Sequence, residues 1–284
     1  MPSAASIRSR LLSLSKNEKL TFQQVAYRYF HERFLARLAL SSYRDNLLLK
    51  GGSFIYAQQG NTARPTIDID FLGINISNDS EAIKEIVKNI CHISLDDCIT
   101  FNPETIKATI ITEQKQYHGT RLIVDVAFDT MRERIQLDIG FGDKITPNPI
   151  GIEYPVLLSE FQRPYIMAYT IETAMAEKLH AIYTLAAFNS RVKDYYDIYL
   201  FILKNQYAKD QVQNAISNTF AARNTEYNSQ KLGEIMHEYA NNPNNEKMWK
   251  IFIKKIKADA VELKTVVELI KNKIIDHKYK PKEL

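Results

Sequence analysis

Residues 47–73 read LLLKGGSFIYAQQGNTARPTIDIDFLG, and the reading of this stretch decides the fold. Leu47-Leu48-Leu49-Lys50 is a short apolar strand that runs into the pair Gly51-Gly52. Phe54 to Gln59 reads as a helix with Ser53 at or near its cap, and residues 60–65 as a loop. Thr66 to Gly73 is then a buried strand that carries Asp68 and Asp70. Alternation along a strand puts residues two apart on one face, about 7 Å apart by backbone rise. Glycines admit close backbone approach, and a helix N-terminus attracts anions. A phosphate cradle and a seat for a divalent cation thus share one supersecondary unit. An isolated Asp-x-Asp is common and is usually a pair of solvated carboxylates; the glycines upstream are what make this one informative.

Working outward, Thr21 is placed as the N-cap of a helix over 21–42 with apolar positions Phe22, Val25, Tyr29, Phe30, Phe34 and Leu38. Ser80 to Ile90 reads as a helix and Ile106 to Thr112 as a strand. Thr120 to Phe128 and Arg134 to Phe141 read as an antiparallel hairpin turning at residues 129–132. The segment 143–155 holds three prolines and looks like the domain-scale boundary. Helical patterns follow at 171–188, 192–203, 208–223, 230–239 and 247–275. The expected fold is α+β: a mixed sheet with helices over 1–145, then an α-helical domain over 146–284 that completes a cleft.

A chain of 284 residues, 45% hydrophobic and 25% charged, matches an ordinary globular protein. Cys91 and Cys98, with His92 between them, fit no disulfide framework and no familiar zinc spacing, and read as plain thiols of a reducing compartment. No signal peptide and no run near the ~20 apolar residues of a membrane span is recognisable, so the expected place is the cytoplasm, with no membrane partner. The net charge is +4, but residues 247–284 hold 11 Lys against 5 Asp/Glu. This segment suits a polyanion, or is simply a solvated lysine-rich helix.

A metal site built on Asp68 and Asp70 needs a third carboxylate from another strand. Asp125 and Asp138 are the candidates, both being charges inside apolar strands. We favour Asp138, because Gly140 and Gly142 leave room near that strand end; Asp125 could pair with Arg121, Arg132 or Arg134. In the helical half, Glu177-Lys178 sits in an Ala-rich helix, and Arg191-Val192-Lys193-Asp194-Tyr195-Tyr196-Asp197 opens the next one. Lys178 could act as a point charge on a triphosphate with Asp194 fixing its direction, or the set could be an inter-helix salt-bridge network.

Taken together, Lys50-Gly51-Gly52-Ser53, Arg64-Pro65-Thr66-Ile67-Asp68-Ile69-Asp70, Leu137-Asp138-Ile139-Gly140, Ala176-Glu177-Lys178-Leu179 and the 191–197 run resemble the AbiEii/AbiGii nucleotidyltransferase toxins of bacterial toxin–antitoxin and abortive-infection systems. These belong to the DNA polymerase β-like nucleotidyltransferase superfamily. The resemblance spans roughly residues 47–203 and implies the following roles. Gly51, Gly52 and Ser53 would contact a nucleoside triphosphate, with Arg64 reaching phosphate or holding its loop. Asp68, Asp70 and Asp138 would bind Mg²⁺, in a two-metal site. Asp138 would also help activate the attacking hydroxyl. Lys178 would neutralise triphosphate charge, and Asp194 would orient it or bind the acceptor. The reaction implied is transfer of a nucleoside monophosphate from an NTP to RNA, with tRNA 3′ ends the best single guess, in a protein that has a cognate antitoxin. A protein or small-molecule hydroxyl as acceptor, or a non-catalytic nucleotide-binding module, are the alternatives.

Overall fold

A computed structural model describes residues 2–113, 117–185, 191–204 and 206–275. The chain divides into two compact units. Unit 1 comprises residues 1–61, 65–142 and 150–168; unit 2 comprises 62–64, 143–149 and 169–284.

Unit 1 is a seven-stranded mixed sheet with helices. Its elements are α1 (Ala4–Asn17), α2 (Phe22–Leu40), β1 (Leu47–Lys50), α3 (Gly51–Gln59), β2 (Asp68–Gly73), α4 (Ser80–Cys91), β3 (Ile99–Glu113), β4 (Tyr117–Phe128), β5 (Met131–Gly140), β6 (Ile150–Glu153) and β7 (Tyr165–Ala168). The strand order is β3-β4-β5-β2-β1-β7-β6. Neighbours are antiparallel except β2 beside β5 and β1 beside β7, which are parallel.

Helix α2 starts where local chemistry dictates. Thr21 and Gln24 form a reciprocal capping box, each side chain bonded to the other's backbone N–H. Tyr29, Phe30, Phe34 and Leu38 are fully buried in the core. The same helix buries charge: Arg37 forks onto Asp97 at 2.7 and 3.1 Å, and Arg33 meets Glu32 at 2.6 Å. A buried ion survives only when paired in this way.

Three features depart from the sequence reading. Helix α1 forms within the stretch that lacked a continuous apolar core; it buries only Ile7, Leu11 and Ser15, too sparse a pattern to stand out. Strand β3 begins at Ile99 rather than Ile106, with a register shift between Asn102 and Lys107. Pro103 falls inside that irregularity, where a residue without N–H is tolerated. Strands β6 and β7, only four residues each, lie beyond residue 145 yet join the sheet of unit 1, with Ala168 in register with Leu49.

Unit 2 is helical: α5 (Ile171–Leu185), α6 (Val192–Lys204), α7 (Lys209–Ala222), α8 (Ser229–Asn241), α9 (Pro243–Ile256) and α10 (Leu263–Ile270), with a π-turn at Lys271–Ile275. The single helix expected over 247–275 is therefore two. Lys257 takes a left-handed conformation at φ 56°, and Trp249 donates from Nε1 to the Val261 carbonyl at 2.7 Å, pinning the break. The parts of the 171–188 helix and of the basic segment that fall on residues 186–188 and 276–284 lie outside the described residues. Among the described residues no helix is long and apolar enough to cross a membrane. Both cysteines are free, and burial pushes the Cys91 thiol up to about 12.

His180 of α5 lies against the Phe220 ring, with Nε2 3.0 Å from Thr225 Oγ1 and Nδ1 3.4 Å from Arg223 Nη1. Burial, then the Arg223 charge, lower its pKa to about 4. The unfolded chain, with histidine near 6.5, takes up this proton first, so stability is full above pH 6.5 and falls as pH drops toward 4. Urea unfolding at pH 7 and pH 4.5 checks this. His180→Gln is expected to lose about 1–2 kcal/mol less than wild type over that interval.

Candidate active site

In unit 1 the site grows from strand register. Pairing sets Asp70 opposite Lys50 of β1 on one side and opposite Asp138 of β5 on the other, and Asp138 opposite Arg121 of β4. Ile69, Phe71, Leu137 and Ile139 point to the opposite, buried face. Asp68, Asp70 and Asp138 consequently converge, each offering a carboxylate oxygen within 4.8 Å of the others. Among the described residues this is the one such group of three or more metal-ligand side chains. Three hard oxygen donors suit Mg²⁺ or Mn²⁺ rather than a soft metal.

Asp125 lies elsewhere. It is in register with Arg134 and takes a hydrogen bond from Arg134 Nε at 3.0 Å, both side chains being exposed. Four residues of β4 separate it from the position opposite Asp138, about 13 Å of strand. Arg121 instead forks onto Asp138, Nε to Oδ1 at 2.9 Å and Nη2 to Oδ2 at 2.7 Å. Gln136 Nε2 adds contacts of 3.3 and 3.2 Å to the same two oxygens.

The turn from β1 to α3 lies directly on the aspartate strand, and this is what the glycines permit. Gly51 has φ 61°, and a Cβ there would meet Asp70 Oδ2 at 1.9 Å. A Cβ on Gly52 would meet Thr66 Oγ1 at 2.5 Å, and Thr66 in turn donates to Asp68 Oδ1. Helix α3 starts at Gly51 rather than Phe54, with Lys50 at the N-cap and no side-chain cap hydrogen bond. Ser53 is therefore inside the first turn, not the cap. Its side chain is buried, with Oγ donating to the Asp68 carbonyl at 3.3 Å and lying 3.4 Å from His31 Nδ1. Any phosphate contact by Ser53 would come through its backbone N–H. His31, whose pKa burial lowers to about 4, lies behind this turn at Ser53; as one polar residue among several in a mixed helix it gave no usable sequence signal.

On the activity that the family resemblance implies, Gly51→Ala is expected to cost at least about a hundredfold, because the new methyl would displace Asp70 and the left-handed φ is strained for Ala. Gly60→Ala is the control. Gly60 also has positive φ, 60°, with ψ −138°, but has open space around it, so Gly60→Ala should cost about 1–3 kcal/mol of backbone strain and leave turnover intact.

In unit 2 the ammonium of Lys178, on α5, reaches two carboxylates of α6: Asp194 Oδ1 at 3.0 Å and Asp197 Oδ2 at 2.8 Å. Arg64 caps the set, its Nε 3.2 and 3.3 Å from the two Asp197 oxygens and Nη2 3.2 Å from Oδ2. Burial would lower the Lys178 pKa, but Asp194 and Asp197 outweigh it and hold it above the ordinary lysine value. Burial would likewise raise Asp197, but Lys178 and Arg64 keep it low. The sequence paired Lys178 with Asp194; the fully buried Asp197, which joins Lys178 to Arg64, is the member that reading undervalued.

A family model described as "Nucleotidyl transferase AbiEii toxin, Type IV TA system" matches residues 33–270. Among solved structures, MenT4, a nucleotidyltransferase toxin from Mycobacterium tuberculosis H37Rv, is similar with a TM-score of 0.58 at 14% identity, over 95% of this chain and 94% of that one. JHP933 from Helicobacter pylori is similar with a TM-score of 0.50 at 17% identity, over 90% of this chain and 94% of that one. At such identities the likeness is one of fold. No curated protein sequence matches the chain.

Proposed function

The chain belongs to the AbiEii family of nucleotidyltransferase toxins of type IV toxin–antitoxin systems, and we propose that it transfers a nucleoside monophosphate from an NTP to an RNA hydroxyl, the 3′ end of tRNA being the first acceptor to test. The observation that supports this most is the convergence of Asp68, Asp70 and Asp138 within 4.8 Å, against the Gly51-Gly52 turn.

In this reading the three carboxylates hold Mg²⁺, which when bound neutralises the phosphates and steadies the attacking and leaving oxygens. The Gly52 and Ser53 amides, in the first turn of α3, hold phosphate oxygens. Asp138 also accepts the proton of the attacking hydroxyl as its oxygen bonds to the α-phosphorus and pyrophosphate departs. Lys178 serves triphosphate charge. This role is the one the family resemblance implies for a lysine that Asp194 and Asp197 hold in place. Arg64 is given the role of holding its segment through Asp197 rather than of reaching phosphate. The basic segment from Lys247 onward supports a polyanionic acceptor, and the family implies a cognate antitoxin.

The test incubates the full chain with Mg²⁺, each NTP labelled at the α-phosphate, and total RNA. Label should pass to RNA with one NTP preferred. Label found on protein instead would move the acceptor class, and no transfer with any NTP would overturn the proposal.

A further inference from the structure

We propose that Arg121 is a resident cation that latches Asp138 and weakens divalent-metal binding at the acidic cluster. The inference rests on the metal reading above and adds a control element to it. Asp138 has a guanidinium forked across both of its oxygens, and Asp68 takes a hydrogen bond from Thr66. Most ion pairs with an exposed arginine are weak, but this one is bidentate and its carboxylate is only 14% exposed.

The pair is set by the sheet itself, since β4 and β5 place Arg121 and Asp138 in direct register. A divalent cation held by the cluster would share the Asp138 oxygens with this fork and would enter a cluster whose charge is already partly offset. Occupancy of the cluster by a divalent cation and closure of the arginine fork therefore oppose one another. Such coupling is reciprocal, so a metal bound at the cluster should loosen the arginine by the same factor.

The experiment titrates Mn²⁺, and separately Mg²⁺, into the full chain without nucleotide and reads the Kd by calorimetry. Arg121→Gln should bind the metal on the order of tenfold more tightly, as expected for removing one nearby positive charge. Arg121→Lys keeps the charge but loses the fork and should bind about threefold more tightly. Should Arg121→Gln fail to fold, by circular dichroism, Arg121→Lys carries the test alone. Arg134→Gln removes the analogous pair with Asp125, away from the cluster, and should leave the Kd unchanged. Unchanged or weaker metal binding in the Arg121 variants, with the wild type binding normally, overturns the latch. Absence of binding in wild type and variants alike overturns the metal reading and the latch with it, whereas binding seen only in Arg121→Gln supports the latch in its strongest form.

Discussion

Asp70→Asn is expected to lower nucleotide transfer by at least about a thousandfold, roughly 4 kcal/mol of transition-state stabilisation. Asp70 occupies the centre of the carboxylate row, in register with Asp138 and two residues from Asp68 on the same face. No neighbouring side chain can take its place. The strand position is filled on one flank by Asp138 and on the other by Lys50, and Gly51 closes the space above it. The fold should not suffer. Asparagine keeps the shape of the side chain at a position only half-buried, so thermal stability without metal should stay close to that of the wild type. Mg²⁺ should raise the melting temperature of the wild type and not that of Asp70→Asn. A variant that loses activity through unfolding, or that responds to Mg²⁺ like wild type, would remove Asp70 from the metal-binding role.

The second large effect is on stability. Lys178→Met keeps the length and apolar bulk of the side chain but leaves Asp194 and Asp197 buried with Arg64, and with Arg191 3.6 Å from Asp194, as the cations at hand. Breaking a buried ion network from one side costs about 3–5 kcal/mol, far more than the intact network contributes. Chemical unfolding of Lys178→Met should show a loss of this size, alongside the loss of transfer activity. Adding Asp197→Asn should recover part of the stability, since it removes the carboxylate left exposed to the deficit, while activity stays lost. A Lys178→Met protein as stable as wild type would mean that Asp194 and Asp197 do not depend on this ammonium.

How much of this was legible beforehand differs between levels. The capped helix α2 was, because Thr21 and Gln24 act within one turn and the apolar residues recur at helical spacing. The hairpin of β4 and β5 was too, as two alternating runs about a turn expected at 129–132, which in the structure is the tighter Asp129-Thr130. The short strands β6 and β7 were not. Four residues carry too little periodicity, and their pairing is made by distant partners. In unit 2 a Lys178–Asp194 pairing between neighbouring helices was one of the readings the sequence offered, whereas Arg64 came in from a loop more than a hundred residues away.

By itself, the sequence determined the local motifs: a glycine turn ahead of Asp68-x-Asp70, two aspartates in later strands, and a lysine in one helix followed by two aspartates in the next. These are local patterns, set by backbone freedom, the two-residue repeat of a strand and the 3.6-residue repeat of a helix. Only the tertiary structure decided which of Asp125 and Asp138 joins the cluster, why Gly51 and Gly52 must be glycine, that the Ser53 hydroxyl turns inward, and that Arg121 rests on Asp138. Each of those depends on strand order and register between segments far apart in the chain. A shift of one residue in the β2–β5 pairing would turn one strand's carboxylates to the other face, and no local pattern encodes that choice.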